Sequence, residues 1–161
     1  MSSQHINEAE QIAKAARRSI SSFCCEECRA YCCRKGHLNL SPDNIELVTQ
    51  GRGKELEGRK LLSKVNEANY SLYLGSHDSP CPCLKDYKCI IHKSPRRPLA
   101  CRDFPLFLEG STIKLSSRCL AVKQGLLFPY IHKLTRLGYK LLKTDSSIDF
   151  DFDSFSKTGI F

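Results

Sequence analysis

No stretch of the sequence comes near the roughly 18 consecutive apolar residues that a membrane-spanning helix requires, so a transmembrane segment is not expected. The start, Met1-Ser2-Ser3-Gln4-His5-Ile6-Asn7-Glu8, is polar and has no apolar signal-peptide core. The expected compartment is therefore the reducing cytoplasm, where structural disulfides are rare. No internal repeat, phosphate-binding loop, glycine-rich nucleotide fingerprint or nucleophile–base arrangement is present, which removes the commonest sequence signs of an enzyme. Tryptophan is absent as well. The interleaved aromatics of a base-stacking surface and the paired Cys-x-x-Cys ribbon are also missing, so nucleic acid is an unlikely partner.

What the sequence has in excess is cysteine: 10 in 161 residues. In a reducing compartment that points to metal binding or redox chemistry. Cys24-Cys25 and Cys32-Cys33 are adjacent pairs, which cannot bridge each other without strain and fit a disulfide framework poorly. The first cluster reads Cys25-Glu-Glu-Cys28-Arg-Ala-Tyr-Cys32-Cys33. A two-residue gap lets a turn bring two sulfurs to one ion, a spacing used by zinc and by iron–sulfur sites. Cys28 and Cys32 share a face if the segment is helical. The second cluster reads Cys81-Pro-Cys83-Leu-Lys-Asp-Tyr-Lys-Cys89 and runs on through Arg97-Pro-Leu-Ala-Cys101-Arg-Asp-Phe-Pro105. Pro80, Pro82, Pro95 and Pro98 exclude a continuous helix there, so this backbone needs another means of support, and a metal would supply it.

Charge agrees. Four thiolates on Zn²⁺, or on an iron–sulfur centre, make an anion that needs compensation if partly buried. Residues 81–102 hold Lys85, Lys88, Lys93, Arg96, Arg97 and Arg102 against Asp86 alone, and Arg29, Arg34 and Lys35 flank the first cluster. The chain's formal net charge of +8 makes a generic basic surface the plainer explanation. The candidate ligands are Cys25, Cys28, Cys32, Cys33, Cys81, Cys89 and Cys101, for zinc or an iron–sulfur cluster. Cys24, Cys83 and Cys119 are assigned to packing, as buried free cysteines often are. His37, His77 and His92 lie near the clusters but read better as surface or hydrogen-bonded residues.

These motifs resemble the YkgJ-like cysteine-cluster family, described as zinc- or iron-chelating domains. The family's Cys-Pro-x-Leu, a cysteine eight positions on and Arg-Pro-x-x-Cys-Arg-x-Phe-Pro find their counterparts in Cys81-Pro82-Cys83-Leu84, Cys89 and Arg97–Pro105. The resemblance spans roughly residues 25–105. The first cluster departs from the usual Cys-x-x-Cys-x-x-Cys-Cys by one extra residue before Cys32-Cys33. The Cys89–Arg97 stretch is longer than usual, and His92 replaces a common tyrosine. The resemblance implies a metal-binding domain. Because some larger relatives are flagellin lysine methylases, it also leaves a methyltransferase- or redox-type enzyme as an alternative, with a zinc-dependent nucleic-acid module ranked last.

The expected fold is α+β, a small mostly helical domain with short strands and irregular proline-rich loops around the cysteine site. It is expected as one domain over residues 1–143, followed by an acidic-aromatic tail, 144–161. Ile6, Ala9, Ala13, Ala16, Ile20 and Phe23 predict an amphipathic helix over 4–23. Ser41-Pro42 predicts a helix start with Ser41 as N-cap, running to about Gln50. Residues 54–65 suggest a helix interrupted near Gly58, residues 69–74 a strand, and 106–115 a hairpin around Glu109-Gly110-Ser111. Residues 130–143 predict a helix with an apolar stripe (Tyr130, Leu134, Leu137, Leu141) and a basic one (Lys133, Arg136, Lys140, Lys143). The basic stripe reads as a solvated face in preference to a docking surface for an acidic partner.

Overall fold

The computed structural model describes residues 2–27, 29–76 and 78–142, with the side chains of Cys24 and Cys25 outside that set. In chain order the elements are α1 (Ser3–Ser19), α2 (Ser21–Glu26), β1 (His37–Leu40), α3 (Ile45–Thr49), α4 (Gly53–Gly58), β2 (Leu62–Lys64) and β3 (Tyr70–Tyr73). They continue as β4 (Leu84–Lys85), β5 (Lys88–Cys89), α5 (Leu99–Arg102), β6 (Leu106–Glu109), β7 (Thr112–Leu115), α6 (Leu120–Lys123), α7 (Phe128–Arg136) and β8 (Lys140–Leu141). Short 3-10 turns, Tyr31–Cys33 and Pro42–Asn44, precede β1 and α3. The class is α+β, as the sequence implies. The chain divides into two compact units, residues 1–29 with 103–161, and Ala30–Arg102.

In the first unit the predicted stripe on α1 is the buried one. Ala9, Ala13 and Ala16 are fully buried, and Ile20 and Phe23 continue the stripe into α2. Alanine lets the helix approach its neighbours closely. The core it joins contains Leu106 of β6, Ile113 of β7, and Ile131 and Leu134 of α7. Ser2 caps α1 by accepting a hydrogen bond from His5 N (3.3 Å). Arg17, in the last turn, donates to Leu106 O through Nη2 (2.7 Å) and to Asp103 O through Nε (3.1 Å), tying the helix to the entrance of β6. The predicted hairpin forms with Glu109 opposite Thr112, and β8 joins β7 in parallel.

Two expectations are corrected in this unit. The 4–23 helix is two helices, broken at Ile20, which leaves helical geometry (φ −102°, ψ 7°). The 130–143 helix begins at Phe128 and ends at Arg136, because Gly138 takes a left-handed φ of 97° and turns the chain into β8. Leu141 is consequently exposed, whereas Leu134 is buried, and Lys133, Arg136 and Lys140 face solvent. Lys143 and the acidic tail lie outside the described residues.

The second unit is built on an antiparallel sheet ordered β1-β3-β2. Leu38, Leu72 and Leu62 sit in register across its three strands, all buried, with Leu72 at 1% exposure between the other two. Leu40, Val48 and Leu56 complete the core, and Cys83 and Ile91 extend it. Residues 62–64, read as the end of a helix, are instead strand β2: α4 stops at Gly58, and Lys60 adopts φ 60° to redirect the chain. Ser41 does not cap a backbone N–H as expected. Its hydroxyl donates to Asn44 Oδ1 (2.9 Å), and the helix enters through the Pro42–Asn44 turn.

Candidate metal centre

The second unit holds the second cysteine block together with the end of the first. Cys33 closes the Tyr31–Cys33 turn, whose N-cap, Ala30, is left-handed (φ 52°). The carbonyl of Cys33 accepts a hydrogen bond from Cys81 N at 2.9 Å, so the two sequence blocks meet main chain to main chain at their cysteines. From Cys81 the backbone makes a β-turn closed by Leu84 N to Cys81 O (2.9 Å), with Pro82 at the position whose fixed φ suits it. Strands β4 and β5 follow at once as a two-residue hairpin. Asp86 and Tyr87 at its tip both have positive φ (50° and 63°), the conformation that matches strand twist in a tight hairpin. Leu84 pairs with Cys89, and Ile90 N donates to Cys83 O (2.9 Å), which sets Cys89 back beside the Cys81–Cys83 turn. The Arg34 guanidinium lies 5.6 Å from the Tyr87 ring centroid, joining the hairpin tip to the segment after Cys33. Cys101 is carried on α5, where its N–H bonds to Pro98 O (3.0 Å).

Cys81, Cys83, Cys89 and Cys101 are free thiols, and all four border or belong to the same core cluster. Their electrostatics bind them into one group with Cys33. A negative charge on Cys33 opposes ionisation of each of the four. Cys81 holds its proton well above the usual thiol range, first through the hydrogen bond its thiol gives Cys83 and then through burial. The same bond draws Cys83 downward, with help from Gln50. Burial pushes Cys89 up, and pushes Cys101 up to about 12. Cys83 has further partners: its sulfur lies 3.2 Å from Val48 O at the end of α3 and 3.8 Å from Gln50 Nε2. It is 1% exposed, in keeping with the packing role read from the sequence. Cys119, also assigned to packing, lies in the core of the first unit.

Arg97 is the half-buried cation of this group. Nη1 donates to His92 O (2.8 Å) and contacts His92 Nδ1 (3.2 Å), and Nη2 donates to Cys101 O (2.5 Å). A guanidinium only donates, so His92 Nδ1 is the acceptor and its ring proton sits on Nε2. Burial, and then the charges of Arg97 and Lys93, lower the pKa of His92. Arg97 Nε is buried with no hydrogen-bond partner among the described residues. A buried, unmatched donor costs about 1–3 kcal/mol, and more on a charged group. The positive charge of Arg97 favours ionisation of both Cys89 and Cys101.

Of the predicted ligands, Cys33, Cys81, Cys89 and Cys101 are thus brought into one neighbourhood. Cys32 is half-buried in the same 3-10 turn as Cys33. Cys28 and the side chain of Cys25 lie outside the described residues, as does His77. Among the described residues no three Cys, His, Asp or Glu side chains are arranged to hold a metal ion. The donor chemistry nonetheless suits a thiophilic metal: several soft sulfurs share one field, and a fixed guanidinium offers the positive charge that a thiolate centre requires. From the sequence Arg97 reads as one of several cations offsetting the centre's charge, four positions before Cys101.

Residues 24–120 match the CxxCxxCC family, described as a "putative zinc- or iron-chelating domain". The chain belongs to this family. The match spans both cysteine blocks and extends past the roughly 25–105 expected from the motifs, through the β6–β7 hairpin to the start of α6. No curated protein and no solved structure matches the chain. Within the described residues no helix is long and apolar enough to cross a membrane.

Proposed function

We propose that the chain is a metal-binding cysteine-cluster protein in which Cys33, Cys81, Cys89 and Cys101 supply thiolates to one centre, with Cys25, Cys28 and Cys32 as further ligands from the first block. The observation that carries this reading is the meeting of the two blocks: the Cys81 N–H to Cys33 O bond, with Cys33 acting electrostatically on all four thiols of the second block. Thiolates at this spacing take Zn²⁺ or an iron–sulfur centre. Either would tie together a hairpin and a four-residue helix that have little regular hydrogen bonding of their own, so metal binding contributes folding free energy. The residues' own part is to hold sulfurs in a half-buried site, keep them reduced and offset their charge with Arg97.

Anaerobic purification followed by metal analysis and an absorption spectrum tests this. An iron–sulfur centre gives a coloured protein with matching iron and acid-labile sulfide; a zinc site is colourless and holds stoichiometric zinc. Cys33→Ala or Cys101→Ala should reduce the bound metal, whereas Cys119→Ala should not. Protein that carries no metal and takes up none under reducing conditions would refute the reading.

A further inference from the structure

The thiolate reading does not by itself account for the buried Arg97 Nε. Both terminal nitrogens of the same guanidinium are engaged, Nη1 by His92 and Nη2 by Cys101 O, so the group is held in place and is not a side chain that swings freely to solvent for a partner. On a guanidinium, Nε and Nη2 share one edge of a rigid fork. The open donor therefore lies beside the nitrogen that already holds Cys101. The other cations of the second cysteine block differ in this respect: Lys85, Lys88, Lys93, Arg96 and Arg102 are all exposed. A fixed, buried donor without an acceptor among the described residues is the complement of an acceptor that arrives with the metal, and a metal-bound thiolate accepts hydrogen bonds.

We infer that Arg97 is a positioning residue of the metal centre, its Nε–H donating to the Cys101 sulfur when that sulfur is a metal-bound thiolate. The inference rests on the thiolate reading above. The bond orients Cys101 toward the metal from outside the ligand set and draws electron density from the sulfur. His92, through its carbonyl and Nδ1, holds the guanidinium at the required angle. That assigns His92 a supporting part and leaves its Nδ1 unable to bind metal.

The probe is Co²⁺ added to the full-length, reduced chain, whose sulfur-to-cobalt charge-transfer band reports the electron density on the thiolates. Wild type, Arg97→Lys and Arg97→Gln are compared by band position and by competition with a chelator. Losing the Nε–H bond should move the band to longer wavelength in both variants and weaken Co²⁺ binding by roughly 10- to 100-fold. Lysine keeps the charge but not the fork, so it should not restore the band. A purely structural role for Arg97 would weaken binding and leave the band where it is; that result, or unchanged binding, overturns the inference while leaving the thiolate reading intact. Wild type that takes up no Co²⁺ overturns both. A second measurement needs no variant: on Zn²⁺ addition to wild type, the ¹⁵N–¹H resonance of Arg97 Nε should shift and become protected from exchange. An Nε resonance that does not respond to Zn²⁺ bound by the same sample also refutes the inference.

Discussion

Raising the pH should destabilise the metal-free protein but not the metal-loaded one. The reason lies in the thiols of the second unit. Burial moves Cys101 from the ordinary thiol value of 9.0 to about 12, and moves Cys89 in the same direction. A group whose folded pKa lies above its unfolded value contributes stability that is whole below the unfolded pKa and is lost as pH rises toward the folded one. For Cys101 that window runs from about pH 9 to about pH 12. Within it, each pH unit removes about 1.4 kcal/mol. At pH 10 Cys101 alone should therefore cost about 1.4 kcal/mol, a sizeable part of the 5–15 kcal/mol that typically holds a domain folded. Cys89 adds to this. Cys81 and Cys83 oppose each other, since the hydrogen bond that raises one lowers the other.

In the loaded protein the same sulfurs are already thiolates, whereas the unfolded chain still binds their protons below about pH 9, so stability should rise with pH up to about 9 and level off above it. The assay is urea unfolding followed by far-UV circular dichroism at pH 7, 8, 9 and 10, with reductant throughout and with either chelator or Zn²⁺. Circular dichroism is the appropriate signal because the chain lacks tryptophan. Cys101→Ser isolates the share of Cys101. Equal slopes with and without Zn²⁺, or a Cys101→Ser slope equal to that of wild type, would refute the reasoning.

Two further outcomes concern the framework. Leu72→Ala removes the central residue of the Leu38–Leu72–Leu62 row and should cost about 2–5 kcal/mol, measured by urea unfolding, with metal uptake weakened because the same core carries Cys81, Cys83, Cys89 and Cys101. Replacing the exposed Lys133, Arg136 and Lys140 together with glutamine should leave the protein folded, with a change in unfolding free energy within about 1 kcal/mol, because exposed charges contribute little.

Periodicity and motif spacing made some of this structure legible and not the rest. The α1 stripe was readable because burying alanines every three or four residues serves one purpose, and the 106–115 hairpin because alternation around Glu109-Gly110-Ser111 has few other solutions. The β4–β5 hairpin was not. Its tip is Asp86-Tyr87, and tyrosine at a positive-φ position gives none of the glycine or asparagine signal that marks such turns. Strand β2 was hidden for a related reason: Leu61-Leu62-Ser63-Lys64 continues a helical pattern, and the reversal is made by Lys60, a residue with no turn signature. In both places tertiary packing imposes a backbone that the local sequence does not announce.

The candidate site divides along the same line. Cysteine spacing identified the thiols, because ligand chemistry must be written in residue type. It could not show that Cys33, rather than a more distant member of the first block, is the cysteine whose carbonyl Cys81 meets, since that follows from the Tyr31–Cys33 turn and the left-handed Ala30 before it. Nor could it distinguish Arg97 from five neighbouring cations. Only the fold does so, by engaging both terminal nitrogens of one guanidinium and burying the third without a partner among the described residues. A charge count finds the basic surroundings an anionic centre requires. The position of a single buried N–H distinguishes a cation that merely neutralises such a centre from one placed to touch it.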